Sequence, residues 1–185
     1  LSRRLMPKVH GAFGGSLKTI IVGGAFMEPA TLQFFYDIGI PVANGYGLTE
    51  ACTALTVNDL KPFRADTVGK PLPGVELRVL SPDDQGIGEI SARSKTVMSH
   101  YLDDPQLTAE TIVDGWLLTG DIAQMDADGF FSIVDRKKDL VIAGGFNIYP
   151  AEVEDVVMSM DGVRDCVVVG LPDRYRGETV KAYVV

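Results

Sequence analysis

The sequence predicts an α/β protein in three consecutive parts: the end of a parallel-sheet subdomain, an antiparallel β hairpin or barrel subdomain, and the start of a small α+β domain. Three observations predict it. Two apolar runs, Leu17 to Val22 and Ile40 to Ala43, flank a helical stretch that Pro29 opens and Gly39 closes, which is the strand, helix, strand order of an α/β unit. From about Val68 the pattern switches to period two around a turn-forming cluster, Asp83, Asp84, Gln85 and Gly86, as hairpins require. After Arg136, the run DLVIAGG precedes a helix opened by Pro150 and two strand candidates, near Asp165 to Val169 and Thr179 to Val185.

Taken in order, the opening LSRRLMPKVHG reads as the tail of a helix and lacks the uninterrupted apolar core of a signal peptide. The first strand ends at Gly23 and Gly24, and the helix from Pro29 runs to about Ile38. Ile40 to Ala43 is expected to be a buried strand that delivers the loop after it to the carboxyl edge of a parallel sheet, where open α/β sheets bind ligands. Pro105 starts a short helix after Asp104, and WLLTGD leads into a hairpin whose turn holds Asp128 and Gly129. In the last helix Val153, Val156, Val157 and Met160 recur at helical spacing and are expected to face the core. Counted from Lys138, the final segment is shorter than a self-sufficient core usually needs, so a domain cut short is expected.

Composition narrows the function. The chain has 185 residues with 46% hydrophobic content, enough for a packed core of one large or two small domains. Seventeen basic against 25 acidic residues give a net charge of −8, which argues against a nucleic-acid or anionic-membrane surface. Anionic ligands therefore have to meet local positive charge, and Arg136, Lys137 and Lys138 form a local basic cluster; a solvated turn accounts for the same run. Cys52 and Cys166 form neither a CxxC pair nor a disulfide framework, which points to a reducing, cytoplasmic setting with both as small buried residues. His10 and His100 lack companions at metal-ligand spacing. No apolar run approaches the ~20 residues that span a bilayer.

The stretch NGYGLTE, residues 44 to 50, carries the most chemistry. Gly45 and Gly47 permit backbone angles and close approach to a ligand that side chains block. Tyr46 offers a flat face for a purine. Thr49 is placed to bond a phosphate oxygen, and Glu50 is a hard oxygen ligand of the kind that holds Mg2+ together with substrate phosphates. A glycine-rich turn capped by Thr and Glu explains the same residues.

Five segments in this order resemble the adenylate-forming superfamily of acyl-CoA synthetases, adenylation domains and luciferases, and most of all its fatty-acyl-CoA ligase branch: GGAF at 23 to 26, NGYGLTE, WLLTGD at 116 to 121, DRKKDLVIAGGFNIYP at 135 to 150 and GLPDRYRGE at 170 to 178. The resemblance implies that residues 1–135 are the C-terminal half of the large AMP-binding domain, its α/β part reaching about residue 67. It further implies that 136–138 are a hinge and 139–185 a truncated C-terminal α+β domain. Gly24 and Ala25 would flank the adenine, Asn44 would reach its exocyclic amine, and Tyr46 would lie against its face. Thr49 and Glu50 would serve phosphate and magnesium. Asp121 would accept hydrogen bonds from the ribose hydroxyls, a role that suits a short anionic acceptor at a strand end; it would equally cap a hairpin. Arg136 would contact ribose and phosphate through its planar fork, or form a surface ion pair. Lys138 would be the pivot about which the small domain rotates. Gly144 and Gly145 would let the backbone approach the pantetheine arm of CoA, or simply make a turn.

The implied activity uses ATP, Mg2+ and CoA: a carboxylate attacks the α-phosphate of ATP, and a thiol then displaces AMP. The superfamily's phosphate loop and final lysine are expected outside this stretch, so the isolated segment is expected to be inactive. Ser94 and His100 stand in SARSKTVMSHYLDDP where relatives commonly show glycine, whereas Tyr101 is retained. Phe26, Gly47, Leu48 and Cys52 are expected to line what remains of an acyl pocket. The wording GGFNIYP favours a medium- or long-chain fatty acid as the small-molecule substrate. The alternatives are an aryl or short-chain acid, a carrier-protein-loading module, and a catalytically idle nucleotide-binding paralogue.

Overall fold

Prolines and glycines set most of the element boundaries. The computed structural model describes residues 6–185; the start of the expected N-terminal helix lies outside the described residues. Helices α1 (Pro7–Ala12), α2 (Pro29–Asp37), α3 (Pro105–Thr111) and α4 (Pro150–Met158) each carry a proline in the first turn, where the missing N–H leaves no bond unmade. Helix α2 closes with the Gly39 N–H on the Tyr36 carbonyl and the Ile40 N–H on the Phe35 carbonyl, the paired bonds that end a helix at a left-handed residue. The Asp104 carboxylate accepts from the Leu107 N–H at 2.9 Å and so caps α3.

Strand β1 (Ile20–Gly23) pairs in parallel with β2 (Val42–Gly45), register Ile20 to Val42 and Gly23 to Gly45. The first strand is therefore shorter at its start than the apolar run Leu17 to Val22. Its partner sets the length: the ladder begins where the Ile20 N–H reaches the Pro41 carbonyl, and Pro41 has no N–H to carry it further. Strands β3 (Glu76–Leu80), β4 (Ile87–Arg93), β5 (Trp116–Met125) and β6 (Phe131–Arg136) form a sheet in the order β6-β5-β4-β3. In the β3–β4 turn one Asp83 oxygen accepts from the Gln85 and Ile87 N–H groups at 2.9 and 3.0 Å. In the β5–β6 turn the cap is Asp126, taking the Asp128 and Phe130 N–H groups at 2.9 Å each.

Strands β7 (Val141–Ala143), β8 (Phe146–Ile148), β9 (Cys166–Asp173) and β10 (Gly177–Val184) form a second sheet in the order β8-β7-β10-β9. DLVIAGG is thus a three-residue strand followed by a tight turn, because Gly144 and Gly145 at φ 61° and 87° reverse the chain into β8. The last two strands are longer than their apolar cores and pair antiparallel from Cys166 with Val184 to Asp173 with Gly177. The expectation that Val156 and Met160 are core residues is corrected: they are 67% and 60% exposed. Met160 lies past the end of α4, and the helical spacing of Val156 records amphipathicity, which does not say whether a partner covers that face.

The chain divides into two compact units. The first holds the described residues up to Arg78 together with Ser91–Thr119 and Met125–Ser132; the second holds Val79–Ile90, Gly120–Gln124 and Ile133–Val185. The first contains a core of Ala51, Leu55, Ala92 and Leu117 against which Tyr46 and Leu48 pack. The second contains a core of Ile87, Ile122 and Tyr149 with Val134 and Leu140.

Candidate functional site

In the first unit the parallel pair β1 and β2 brings two of the expected segments together. Gly24 and Ala25 follow the end of β1 and are exposed, and Asn44 and Gly45 end β2 beside it. Residues 44 to 46 are tied to residues 55 to 58: the Asn58 N–H donates to the Asn44 carbonyl at 2.7 Å, the Leu55 and Thr56 N–H groups to the Tyr46 carbonyl at 2.8 and 3.0 Å, and the Tyr46 N–H to Thr56 Oγ1 at 3.1 Å. Asn44 Nδ2 donates to the Thr67 carbonyl and its Oδ1 accepts from Asn58 Nδ2, both at 3.0 Å. That leaves Asn44 one lone pair on Oδ1 for an outside donor. Gly45 serves this packing: a Cβ there would collide with the Thr56 carbonyl oxygen. Neither Gly45 nor Gly47 has a positive φ, so the expectation that both supply unusual backbone angles is corrected; close backbone approach is what position 45 requires.

Thr49–Ala51 form one 3-10 turn that presents Thr49 to solvent, and Cys52 follows in a left-handed conformation at φ 57°. Cys52 is exposed and Cys166 buried, so burial of both cysteines is corrected at Cys52. Phe26 is 86% exposed. Glu50 is half-buried, and its Oε1 accepts from the Tyr101 hydroxyl at 2.9 Å while its carbonyl accepts from the Met98 N–H at 2.7 Å. Burial first, then the bond to Glu50, pushes the Tyr101 phenol up from its ordinary value, so it remains a neutral donor at physiological pH. No group of three or more His, Cys, Asp or Glu among the described residues could hold a metal. The donor set fits a hard cation that takes one carboxylate and completes its shell with substrate phosphates and water, as Mg2+ does.

In the second unit Asp121 and Arg136 meet, Oδ1 to Nε, at 3.9 Å, with Asp121 18% and Arg136 64% exposed. Beside them Glu89 accepts from the Gly120 N–H at 3.2 Å and from Lys137 Nζ at 2.7 Å, and the Lys137 N–H reaches the Gly120 carbonyl at 2.8 Å. Glu89 thus fastens the strand residue before Asp121 to the residue after Arg136. Lys138 is exposed in a turn closed by the Asp139 N–H on the Arg136 carbonyl. Gly145 is exposed with open space where a Cβ would stand. The expected residues therefore gather into two sets, one in each unit. Asn58, Tyr101 and Glu89 are absent from the expected site, although Asn58 holds Asn44, Tyr101 holds Glu50 and Glu89 ties together neighbours of Asp121 and Arg136; of these only Tyr101, an aromatic next to a turn, carried a signal in the sequence.

The first unit carries a parallel β pair ending in a glycine-rich loop, and the second an acid and an arginine on neighbouring strands, within a mixed α/β architecture. Residues 3–102 match the family model for AMP-binding enzymes and residues 152–185 that for the AMP-binding enzyme C-terminal domain. The chain belongs to the AMP-binding enzyme family. It is 40% identical over 178 residues to a long-chain-fatty-acid–CoA ligase of Bacillus subtilis (strain 168), covering 92% of this chain and 32% of that protein. It is 38% identical over 186 residues to a feruloyl-CoA synthase of Amycolatopsis sp, covering 97% of this chain and 38% of that one. Among solved structures it resembles the o-succinylbenzoate CoA synthetase of Bacillus subtilis in complex with its acyl-adenylate intermediate, at a TM-score of 0.80 and 30% identity over 97% of this chain and 40% of that chain. The chain thus spans about a third of the length of the curated relatives it matches. Among the described residues no helix is long and apolar enough to cross a membrane.

Proposed function

We propose that the protein is part of an ATP-dependent, AMP-forming acyl-CoA ligase that activates a medium- or long-chain fatty acid. The observation that carries this reading is the loop Asn44–Glu50, presented at the carboxyl end of a parallel strand pair with Thr49 exposed and the Glu50 carboxylate held from one side only. In this reading Gly24, Ala25, Asn44 and Tyr46 bind adenine, Thr49 meets phosphate, and Asp121 and Arg136 hold the ribose. Glu50 would hold Mg2+, which when bound neutralises phosphate charge. The substrate carboxylate attacks the α-phosphorus and pyrophosphate leaves; the CoA thiol then attacks the acyl carbon and AMP leaves. The chain's own contribution is positioning and charge complementarity.

Residues 1–135 belong to the large domain, 136–138 are its hinge and 139–185 belong to the small domain; the exposed turn at Lys138 supports a pivot there, and the open Gly144–Gly145 turn supports approach of the CoA arm. The free cysteines support a reducing, cytoplasmic setting. An aryl acid is the second reading, favoured by the feruloyl-CoA synthase relative. The test is AMP release by the full-length protein with ATP, Mg2+ and a panel of carboxylic acids, with and without CoA. CoA-dependent turnover on fatty acids is expected; turnover confined to aryl acids replaces the substrate, adenylation without CoA use points to a carrier-loading module, and silence across the panel to an idle paralogue. Asp121→Asn should lower kcat/KM for ATP about tenfold or more, since a charge-assisted bond to ribose becomes a neutral one.

A further inference from the structure

We propose that Tyr101 is a positioning residue that holds the Glu50 carboxylate in place for the metal and phosphates of the nucleotide. The inference rests on the reading of Glu50 given above. Glu50 sits on a single 3-10 turn, and its side chain is gripped from a segment about fifty residues further along the chain. That segment is itself anchored. The Tyr101 N–H donates to Thr108 Oγ1 at 2.9 Å, the Thr108 hydroxyl donates to the Asp104 carbonyl at 2.7 Å, and the Asp104 carboxylate caps α3 through the Leu107 N–H. Met98, three residues before Tyr101, donates its N–H to the Glu50 carbonyl. Glu50 is therefore fixed at its backbone and at one carboxylate oxygen by the same stretch, which leaves Oε2 to face a ligand.

A glutamate left on a turn loses rotamer freedom when it takes a cation. The Tyr101 hydroxyl removes that freedom beforehand, and its single proton takes one lone pair of Oε1 without bringing a charge that competes with the metal. This is the outer-shell arrangement that orients metal-binding carboxylates, whose loss typically weakens metal affinity about 10- to 100-fold.

The test is calorimetric ATP binding to the full-length protein across a magnesium titration, without acid or CoA, so that no turnover contributes. Tyr101→Phe should raise the magnesium concentration for half-maximal ATP binding about tenfold, with unfolding temperature and magnesium-free ATP binding unchanged. Thr108→Val, which removes the acceptor for the Tyr101 N–H, should give a smaller shift in the same direction and serves if the phenylalanine variant does not fold. Glu50→Gln should lose the magnesium dependence, and adding Tyr101→Phe to it should change nothing further, because the tyrosine acts only through the carboxylate. Wild-type magnesium dependence in Tyr101→Phe, beside its loss in Glu50→Gln, overturns the positioning role and leaves the Glu50 reading standing. Wild-type dependence in Glu50→Gln itself overturns that reading and this proposal with it.

Discussion

The two sets of candidate residues are held by different means. In the first unit the loop is braced by buried polar side chains: Asn58, 2% exposed, donates to Asn44 and to the Arg64 and Thr67 carbonyls, and Thr56 Oγ1 bridges the Tyr46 N–H and the Val68 carbonyl. In the second unit Arg136, Lys137, Lys138 and Gly145 are exposed, and their order comes from surface bonds and strand ladders. A substitution at Asn44, Gly45 or Asn58 is therefore felt as lost folding and lost function together. In the second unit, function separates from folding.

Equilibrium denaturation can break that contrast. Gly45→Ala should cost ~3 kcal/mol, since the new methyl meets the Thr56 carbonyl and the strands must part; a loss under half of that would mean the loop relaxes at little cost. Asn58→Ala should cost about 2 kcal/mol, because Asn44 Oδ1 loses its donor and the Arg64 and Thr67 carbonyls each lose one of theirs. Gly145→Ala, in open space at φ 87°, should cost only about 1 kcal/mol from the left-handed backbone. If Gly45→Ala and Gly145→Ala prove equal, the two units are braced alike. Lys137→Ala should fall within about 0.5 kcal/mol, because its ion pair with Glu89 is 59% exposed on the lysine side.

An acid titration sharpens the comparison because both units share one response. Asp126 in the first unit is held below its ordinary value by the Phe130 N–H and Asp83 in the second by the Ile87 N–H, while the Arg176 N–H does the same for Asp173. A depressed carboxylate stabilises the fold above its unfolded value of about 3.9, and that contribution is lost as pH falls through the lower folded value. Denaturation midpoints should therefore hold near neutrality and drop below about pH 4. Asp83→Ala should flatten part of that drop.

Much of the fold was legible because its punctuation is local. Pro29, Pro105 and Pro150 begin helices wherever the rest of the chain goes, and the Asp83 to Gly86 turn is built by a carboxylate on its own neighbours. Strand lengths were less legible: β1 is trimmed and β9 and β10 extended by the partner each ladder found. The candidate loop was legible as a motif, but its supports were not. Asn58 looks like any polar residue near a turn, and nothing local to Tyr101 announces that its hydroxyl meets Glu50.

By itself the sequence determined the kind of most elements, the turns between them and the candidate loop as a motif, because dihedral preferences and side-chain bonds to adjacent backbone act over a few residues. Tertiary structure alone decided which of those residues are held. It turned Asn44 toward Thr67 and Asn58, set Glu89 on Lys137, and left Val156 bare although its spacing matches a core position. Hydrogen bonds and burial between distant segments depend on where the chain returns.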